Sequence, residues 1–403
     1  MSFQQGLSGL NAAAKNLDVI GNNIANATTV GFKQSQAQFA DVYANSLTGS
    51  GGAQVGIGTK VAQIAQQFTQ GNISSSNNPL DIAINGGGFF RMENNGEVTY
   101  QRNGQFQLDR MGSIVNPSGA KLTGYTANSS GVLSTGSPSP LSINTSDLAP
   151  QITSEVNALL NLDSRSANPL ATPFDMNDPT TFNTSTAVSV YDSLGNSHTL
   201  QTYFVKTAPG AWDVYASNDG VPLTPALVGS LGFDANGVLT TPMPLNISVP
   251  VTSGATNPFP VVLDFTGTTQ FGSTFSVNTL NQDGYTSGRL AGFSIGADGL
   301  VMGRYTNGQA ALLGQVVLAN FANPNGLQPL GNNMWAETAT SGAALVGSPN
   351  SGSLGVLQSS AVEDSNVDMT AELVNLITAQ RVYQANAQTI KAQDTVLQTL
   401  VNL

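Results

Sequence analysis

Few residues in this 403-residue chain could do bond-breaking chemistry. His198 is its single histidine, and there is no cysteine. Zinc and non-haem iron sites draw on several such ligands, so they are excluded or nearly so. Thiolate catalysis and disulfide staples go with them. His198 has Asp192 six positions before it, which would suit the acid and base of a Ser-His-Asp arrangement. No nucleophile elbow accompanies them, and a hairpin turn explains the pair equally well. Gly86-Gly87-Gly88 offers the backbone freedom of a phosphate loop. Such a loop must feed a helix N-terminus, whereas Phe89-Phe90-Arg91-Met92 continues as strand. A glycine turn or bulge is therefore expected. Paired carboxylates could serve glycoside cleavage, but most Asp residues sit in turn dipeptides, where the backbone favours them. No catalytic, metal or cofactor site is expected.

Composition narrows the class further. Charged residues make up 9% of the chain, far below the roughly 25% of ordinary soluble domains. The balance is acidic, 24 Asp and Glu against 13 Lys and Arg. No basic stripe suits nucleic acid. No apolar run approaches a membrane span of about 20 residues. The start lacks the basic leader and continuous apolar core of a cleaved signal peptide, so export by the general secretory route is not expected.

The elements that organise the chain lie at its two ends. Phe3, Leu7, Leu10, Ala14, Leu17 and Ile24 follow a 3,4 alternation over residues 3–24. Leu373, Leu376, Tyr383, Ala387, Ile390, Leu397 and Val401 do so over residues 366–402. Both patterns predict helices whose apolar seams pack on other helices, and the two are expected to meet as a terminal coiled coil. Ser365-Asn366-Val367-Asp368 has capping-box spacing for the second. Asn22, Asn23 and Asn26, with Gly31 and Phe32 beyond, mark the end of the first.

Between the ends the period is two. Residues 34–70 are read as a connecting segment, with a Gly49-Ser50-Gly51-Gly52 break and strand-like runs at 59–69. From Leu80, short strands alternate with turns such as Asn94-Asn95-Gly96 and Arg102-Asn103-Gly104. A similar pattern resumes after Tyr285. This predicts a discontinuous inner β domain of residues 71–145 and 285–364, interrupted by an inserted outer β domain of residues 146–284. Frequent Pro and Gly favour a sandwich or barrel there. The fold class is thus mainly β with α-helical termini. Residues 1–33 and 365–403 form the terminal helical domain.

Met1 to Ala14, Leu17 to Asn26 and Val30-Gly31-Phe32-Lys33 resemble the start of the bacterial flagellar hook protein family. Ser365 to Asp368, Glu372 to Ile377, Gln380 to Lys391 and Leu400 to Leu403 are similar to the same family's end. Leu80 to Ile84, Gly88-Phe89-Phe90, Leu122 to Tyr125, Gly314 to Phe321 and Trp335 carry the likeness through the inner β region. The resemblance implies an extracellular structural subunit that polymerises with itself into a short curved tube joining rod to filament. Its implied partners are the hook cap, the distal rod protein, the hook-filament junction protein and the flagellar type III export apparatus. The polymerisation seam would be Phe3, Leu7, Leu10, Leu17, Ile24, Leu373, Leu376, Tyr383, Ile390 and Leu397. The termini are shared with rod proteins, so a distal rod subunit is the alternative within the family. A secreted β-rich glycan-binding protein is the alternative outside it.

Overall fold

The computed structural model describes residues 2–42, 56–128 and 131–401. The Gly49 to Gly52 break and the final Asn402 and Leu403 lie outside the described residues, as do the side chains of Leu400 and Val401. The chain divides into two compact units. One comprises Met1–Asn144, Gly292–Arg304 and Ala310–Leu403; the other comprises Thr145–Ala291 and Tyr305–Gln309.

The first unit contains both terminal helices. Helix α1 spans Ser2–Ala25. It stops where the Asn26 backbone N–H and side-chain amide both return to the Asn22 carbonyl, at 3.1 and 3.0 Å. Helix α2 spans Met369–Val401. Its cap is Asp368, whose Oδ1 accepts the Thr370 and Ala371 N–H groups at 2.8 and 3.1 Å. The capping-box spacing that starts at Ser365 is not used as such. Ser365 Oγ instead accepts the Val367 N–H in a turn before the helix.

Strands β1 (Ser35–Val42) and β2 (Gly58–Gln66) form an antiparallel ribbon, with Ser35 opposite Gln66 and Val42 opposite Gly58. Of the stretch read as a connector, Ser35–Val42 and Gly58–Gln66 are strand. The ribbon's cross-strand contacts mix apolar pairs, Ala37 with Ile64 and Phe39 with Val61, with amide contacts between glutamines. Gln63 donates to Gln38 at 2.9 Å, and Gln67 to Gln36 at 3.3 Å. The interspersed glutamines dilute the hydrophobic period, most of all over Ser35–Val42, where no strand is predicted.

Short strands then tie the two ends of the chain together. Strand β3 (Ile73–Ser75) pairs with Ala361–Glu363, and β4 (Ile82–Asn85) with Val356–Ser359. Strands β5 (Phe89–Asn94) and β6 (Glu97–Gln101) make a hairpin through Asn95 and Gly96, both at positive φ. They sit mid-sheet in the order Ala310–Val316, Lys121–Thr126, β5, β6, Met334–Ala336, Gln328–Gly331. Gly86 and Gly88 hold φ of 116° ahead of β5, so the triple glycine is a turn into strand. Phe89, Tyr100, Phe321 and Trp335 fill one core cluster, with Phe68 edge-on to Phe89 at 5.4 Å.

The second unit is a sandwich of two four-stranded sheets. One orders Leu245–Val249, Phe259–Asp264, Glu155–Asn161 and Ser276–Gln282; the other runs Thr184–Tyr191, Ser197–Ala208, Ala211–Asn218 and Val221–Gly232. Trp212, Val214 and Ala216 alternate inward along one strand and meet Leu160, Phe204, Val249 and Phe259 in a shared core.

The candidate assembly surface and the charges behind it

Helices α1 and α2 pack antiparallel through small residues. A Cβ on Gly6 would lie 3.1 Å from Ile390 Cγ1, and one on Gly9 would lie 2.7 Å from Asn386 Oδ1. Ala12, Ala13 and Ala379 are buried along the same side. Small side chains at these positions let the helix backbones approach closely. The other flank of this face rests on the β1–β2 ribbon. Gln5 Nε2 donates to the Gly56 carbonyl at 2.6 Å, and Asn23 exchanges two hydrogen bonds with the Ser35 backbone at 2.8 and 2.9 Å.

The large residues of the predicted seam lie elsewhere. On a helix of 3.6 residues per turn, Phe3, Leu7, Leu10, Leu17 and Ile24 centre about a fifth of a turn from the Gly6, Gly9, Ala13 and Ile20 face, and the two sets meet at Ile24 and Gly6. Phe3 and Leu7 are 46% and 44% exposed, while Leu10, Leu17 and Ile24 are half-buried. On α2, Leu376 and Ile390 are half-buried, but Leu373 and Tyr383 are exposed. Leu397 is 54% exposed because α2, with 33 residues against 24 in α1, runs past its partner's end. Val374, Ile377, Val382 and Val396 add to the open apolar surface. Hydroxyls on α2 turn inward to their own backbone: Thr378 donates to Val374 O, Thr389 to Ala385 O and Thr395 to Lys391 O. Small residues thus let the helices approach, with Ile20 and Ile390 packed at the joint, while Phe3, Leu7, Leu373 and Leu397 are left exposed.

The motif at the end of α1 anchors this helical pair. Asn22 is exposed and Asn26 half-buried; both serve the helix end. Gly31 has φ 72°, and a Cβ there would lie 2.5 Å from the Asn103 backbone nitrogen. Phe32 is buried beside it. Lys33 follows, with its side chain wholly buried. Its Nζ donates to Glu363 Oε1 at 2.6 Å and to the Thr69 carbonyl at 2.8 Å. Arg102 donates to Glu363 Oε2 at 3.4 Å and to the Gly86 carbonyl at 2.8 Å, and its guanidinium lies 5.6 Å from the Phe89 ring centre. Gly71 N–H completes the shell on Glu363 at 3.0 Å. Burial lowers the Lys33 pKa, against the opposing pull of Glu363, and burial likewise lowers that of Arg102. Next along, Gln34 N–H donates to Asn366 Oδ1 at 2.7 Å and Gln34 Nε2 to Glu372 Oε1 at 2.6 Å.

Sequence reasoning gave no role to Lys33, Arg102, Glu363 or Glu372. The available signal was charge set in apolar company, as in Gly31-Phe32-Lys33 and Ala361-Val362-Glu363, in a chain that carries few charges.

In the second unit His198 lies between two carboxylates. Nδ1 is 2.7 Å from Asp219 Oδ2, and Nε2 is 3.3 Å from Asp192 Oδ2. Ser253 Oγ donates to Asp192 at 2.5 Å, not to the histidine. Both ring nitrogens face acids, so no nitrogen is free to take a proton from a hydroxyl, and the arrangement is a clamp rather than a catalytic relay. Burial pulls the imidazole pKa down, but the hydrogen bonds to Asp219 and Asp192 outweigh it and the net shift is upward. Among the described residues no helix is long and apolar enough to cross a membrane.

A family model described as "Flagella basal body rod protein" matches residues 3–33, and "Flagellar basal body rod FlgEFG protein C-terminal" matches 358–403. "Flagellar hook protein FlgE/F/G D1 domain" matches 83–157, and "Flagellar basal body protein FlaE D2 domain" matches 161–285. The flagellar hook protein FlgE of Salmonella typhimurium is 45% identical over 409 residues, covering 100% of both chains. That of Escherichia coli (strain K12) is 44% identical over the same length and coverage. That of Borreliella burgdorferi is 32% identical, covering 100% of this chain and 99% of its own. The crystal structure of Helicobacter pylori flagellar hook protein FlgE2 shares the fold, with a TM-score of 0.54 at 14% identity over 72% of this chain and 100% of that one. With identity at this level running the length of both chains, the chain belongs to the flagellar hook protein family.

Proposed function

We propose that this hook subunit polymerises through the large apolar side chains that its terminal helices leave exposed. The observation that carries the reading is the division of labour on those helices. Gly6, Gly9, Ala12, Ala13 and Ala379 join α1 to α2, whereas Phe3, Leu7, Leu373 and Leu397 face solvent. Each such residue contributes about 1.5–3 kcal/mol when fully buried. Neighbouring copies are the cover this stripe is built for, and the half-buried Leu10, Leu17, Ile24, Leu376 and Ile390 widen it.

In the tube the helical pairs of residues 1–33 and 365–403 form the inner wall and carry torque. Residues 71–145 with 285–364, and residues 146–284, form the β layers that slide as the tube bends. Surfaces rich in Gly, Ser, Thr and Asn slide at low cost because they make wet contacts without desolvating charge. The chain leaves the cell through the flagellar type III apparatus without cleavage and adds beneath the hook cap. It meets the distal rod protein at one end of the tube and the hook-filament junction protein at the other.

The test is electron microscopy of the purified protein after salt-induced assembly. Curved tubes are expected from the wild type, and none from Leu10→Asp or Leu397→Asp. Normal tubes from both variants would overturn the proposed seam. Straight rigid tubes from the wild type would point to a rod subunit instead.

A further inference from the structure

Glu372 is the least accommodated acid in the helical part of the molecule. It is 3% exposed, and only its Oε1 is engaged, by Gln34 Nε2 at 2.6 Å. Its Oε2 is buried without a hydrogen-bond partner. A buried carboxylate oxygen left unpaired keeps the full cost of its lost hydration. The side chain lines a cavity of about 330 Å³ bounded by α1, β1 and the start of α2, whose other walls include Asn16, Asn23, Gln36 and Asn375. The polar side chains around it are mainly neutral amides, and among the described residues no cation forms an ion pair with it.

Cations are scarce on the terminal helices: Lys15, Arg381 and Lys391 are the only ones. Lys15 is held by Asp18 at 3.2 Å. Lys391 has Asp394 three positions on, within side-chain reach on a helix. Arg381 has Ile377, Thr378, Gln384 and Ala385 at the corresponding spacings, and is exposed. Arg381 and Glu372 cannot meet within one chain. Nine positions separate them on α2, about two and a half turns and roughly 13 Å, so they point to opposite sides of the helix.

We propose that the cavity is a socket for Arg381 of a second copy of this chain. A guanidinium entering it would supply the missing donor to Glu372 Oε2 and hydrogen-bond the amide lining, in low dielectric where a charged hydrogen bond is strong. One copy gives the acid and the next gives the base, so the contact is head-to-tail. That is the kind of interface that builds an open helical array rather than a closed dimer. The apolar stripe supplies non-directional adhesion, and this pair fixes the register at which neighbouring helices settle. The inference rests on the polymerisation reading above.

The test is a double-mutant cycle on the critical concentration for tube formation, using full-length Glu372→Gln, Arg381→Gln and the double variant. Each single change is expected to raise the critical concentration about tenfold, the effect of losing one charged hydrogen bond. The double change is expected to raise it no further. Effects that multiply in the double variant, or a neutral Glu372→Gln, overturn the proposal.

A second measurement reads proximity directly. In Arg381→Lys tubes grown from equal parts of ¹⁵N-labelled and unlabelled subunits, a zero-length carbodiimide couples an amine at 381 only to a carboxylate it touches. Mixed-label cross-linked peptides joining the segments around 372 and 381 are expected, present in tubes and absent from monomers. Tubes without that cross-link overturn the socket while leaving polymerisation intact. A wild-type chain that does not polymerise overturns the assembly reading beneath it.

Discussion

Lys33 and Glu363 stand 330 positions apart in sequence and 2.6 Å apart in space, with neither side chain exposed. The pair closes a loop through nearly the whole chain and joins the exit of α1 to the strand that leads into α2. Arg102, from the β region between them, shares the same carboxylate.

Removing Lys33 leaves the buried Glu363 with Arg102 and the Gly71 N–H as its remaining partners. Lys33→Met is expected to destabilise the first unit by about 3–5 kcal/mol, the usual cost of breaking a buried ion pair from one side. The Lys33→Met/Glu363→Met double variant should recover part of the loss, limited by the Arg102 charge that it leaves unpaired. Urea unfolding followed by circular dichroism checks both. A single variant within about 0.5 kcal/mol of wild type, the size of an ordinary surface change, would contradict the role given to this cluster.

Glycines at the two ends of the same segment should respond in opposite directions. Gly31 holds φ 72°, and an added methyl would lie 2.5 Å from the Asn103 backbone nitrogen, which cannot rotate away. Gly31→Ala is expected to cost at least about 2 kcal/mol. Gly21 lies inside α1, exposed, with nothing within 4 Å of its would-be Cβ. Gly21→Ala should stabilise the monomer by about 0.5–1 kcal/mol through helix propensity alone. Thermal melts of the two variants beside the wild type test the contrast.

Much of the architecture was readable because it rests on local periodicity. The helices expected at 3–24 and 366–402 are Ser2–Ala25 and Met369–Val401. The face they share was not readable. A search for spaced Leu and Ile finds the large residues, Ile390 among them, but on α1 this contact is made by Gly6 and Gly9, which carry little hydrophobic weight. The start of α2 was misplaced for a related reason. Ser365 and Asp368 are both good caps, and only the fold commits Asn366 between them to Gln34 N–H and the Gln67 carbonyl. Lys33, Arg102 and Glu363 come from three distant segments, so no local pattern could unite them.

The His198 clamp gives the second unit a defined pH response. Its folded pKa lies above the ordinary value of about 6.5, because Asp219 and Asp192 hold the imidazolium more strongly than burial disfavours it. A raised folded pKa means that the contribution is whole below about pH 6.5 and is lost as pH rises through the folded value. Asp192 and Asp219 are both lowered, so their share is lost only at acid pH, below the ordinary carboxylate range. Stability of this unit should therefore fall on going from pH 6 to pH 9, by up to about 1 kcal/mol, since Asp219 is half exposed and solvent screens it. His198→Gln should flatten that slope. Melting curves across this pH range decide the point, and an unchanged slope in the variant would falsify the assignment.

The last prediction concerns what the second unit does in the tube. Its chain enters and leaves side by side. Leu148 N–H donates to the Gly288 carbonyl at 2.7 Å, and the Gln151 and Tyr285 backbones exchange hydrogen bonds at 3.0 and 2.9 Å. Paired antiparallel residues stand about 5 Å apart, so a short Gly-Ser link from Leu148 to Gly288 replaces residues 149–287 without stretching the chain. The first unit keeps its own cores, including the Phe89, Tyr100, Phe321 and Trp335 cluster and the Lys33–Glu363 pair. The exposed stripe on α1 and α2 is untouched by the excision. Tubes should therefore still form, at a critical concentration within a few-fold of wild type, because the helices supply the adhesion. Their curvature should change if, as proposed, the excised domain is a polar layer that slides as the tube bends. Electron microscopy of the excised protein reads both outcomes. Loss of tubes would mean that residues 149–287 hold the polymer together, and an unchanged supercoil would mean that they do not shape it.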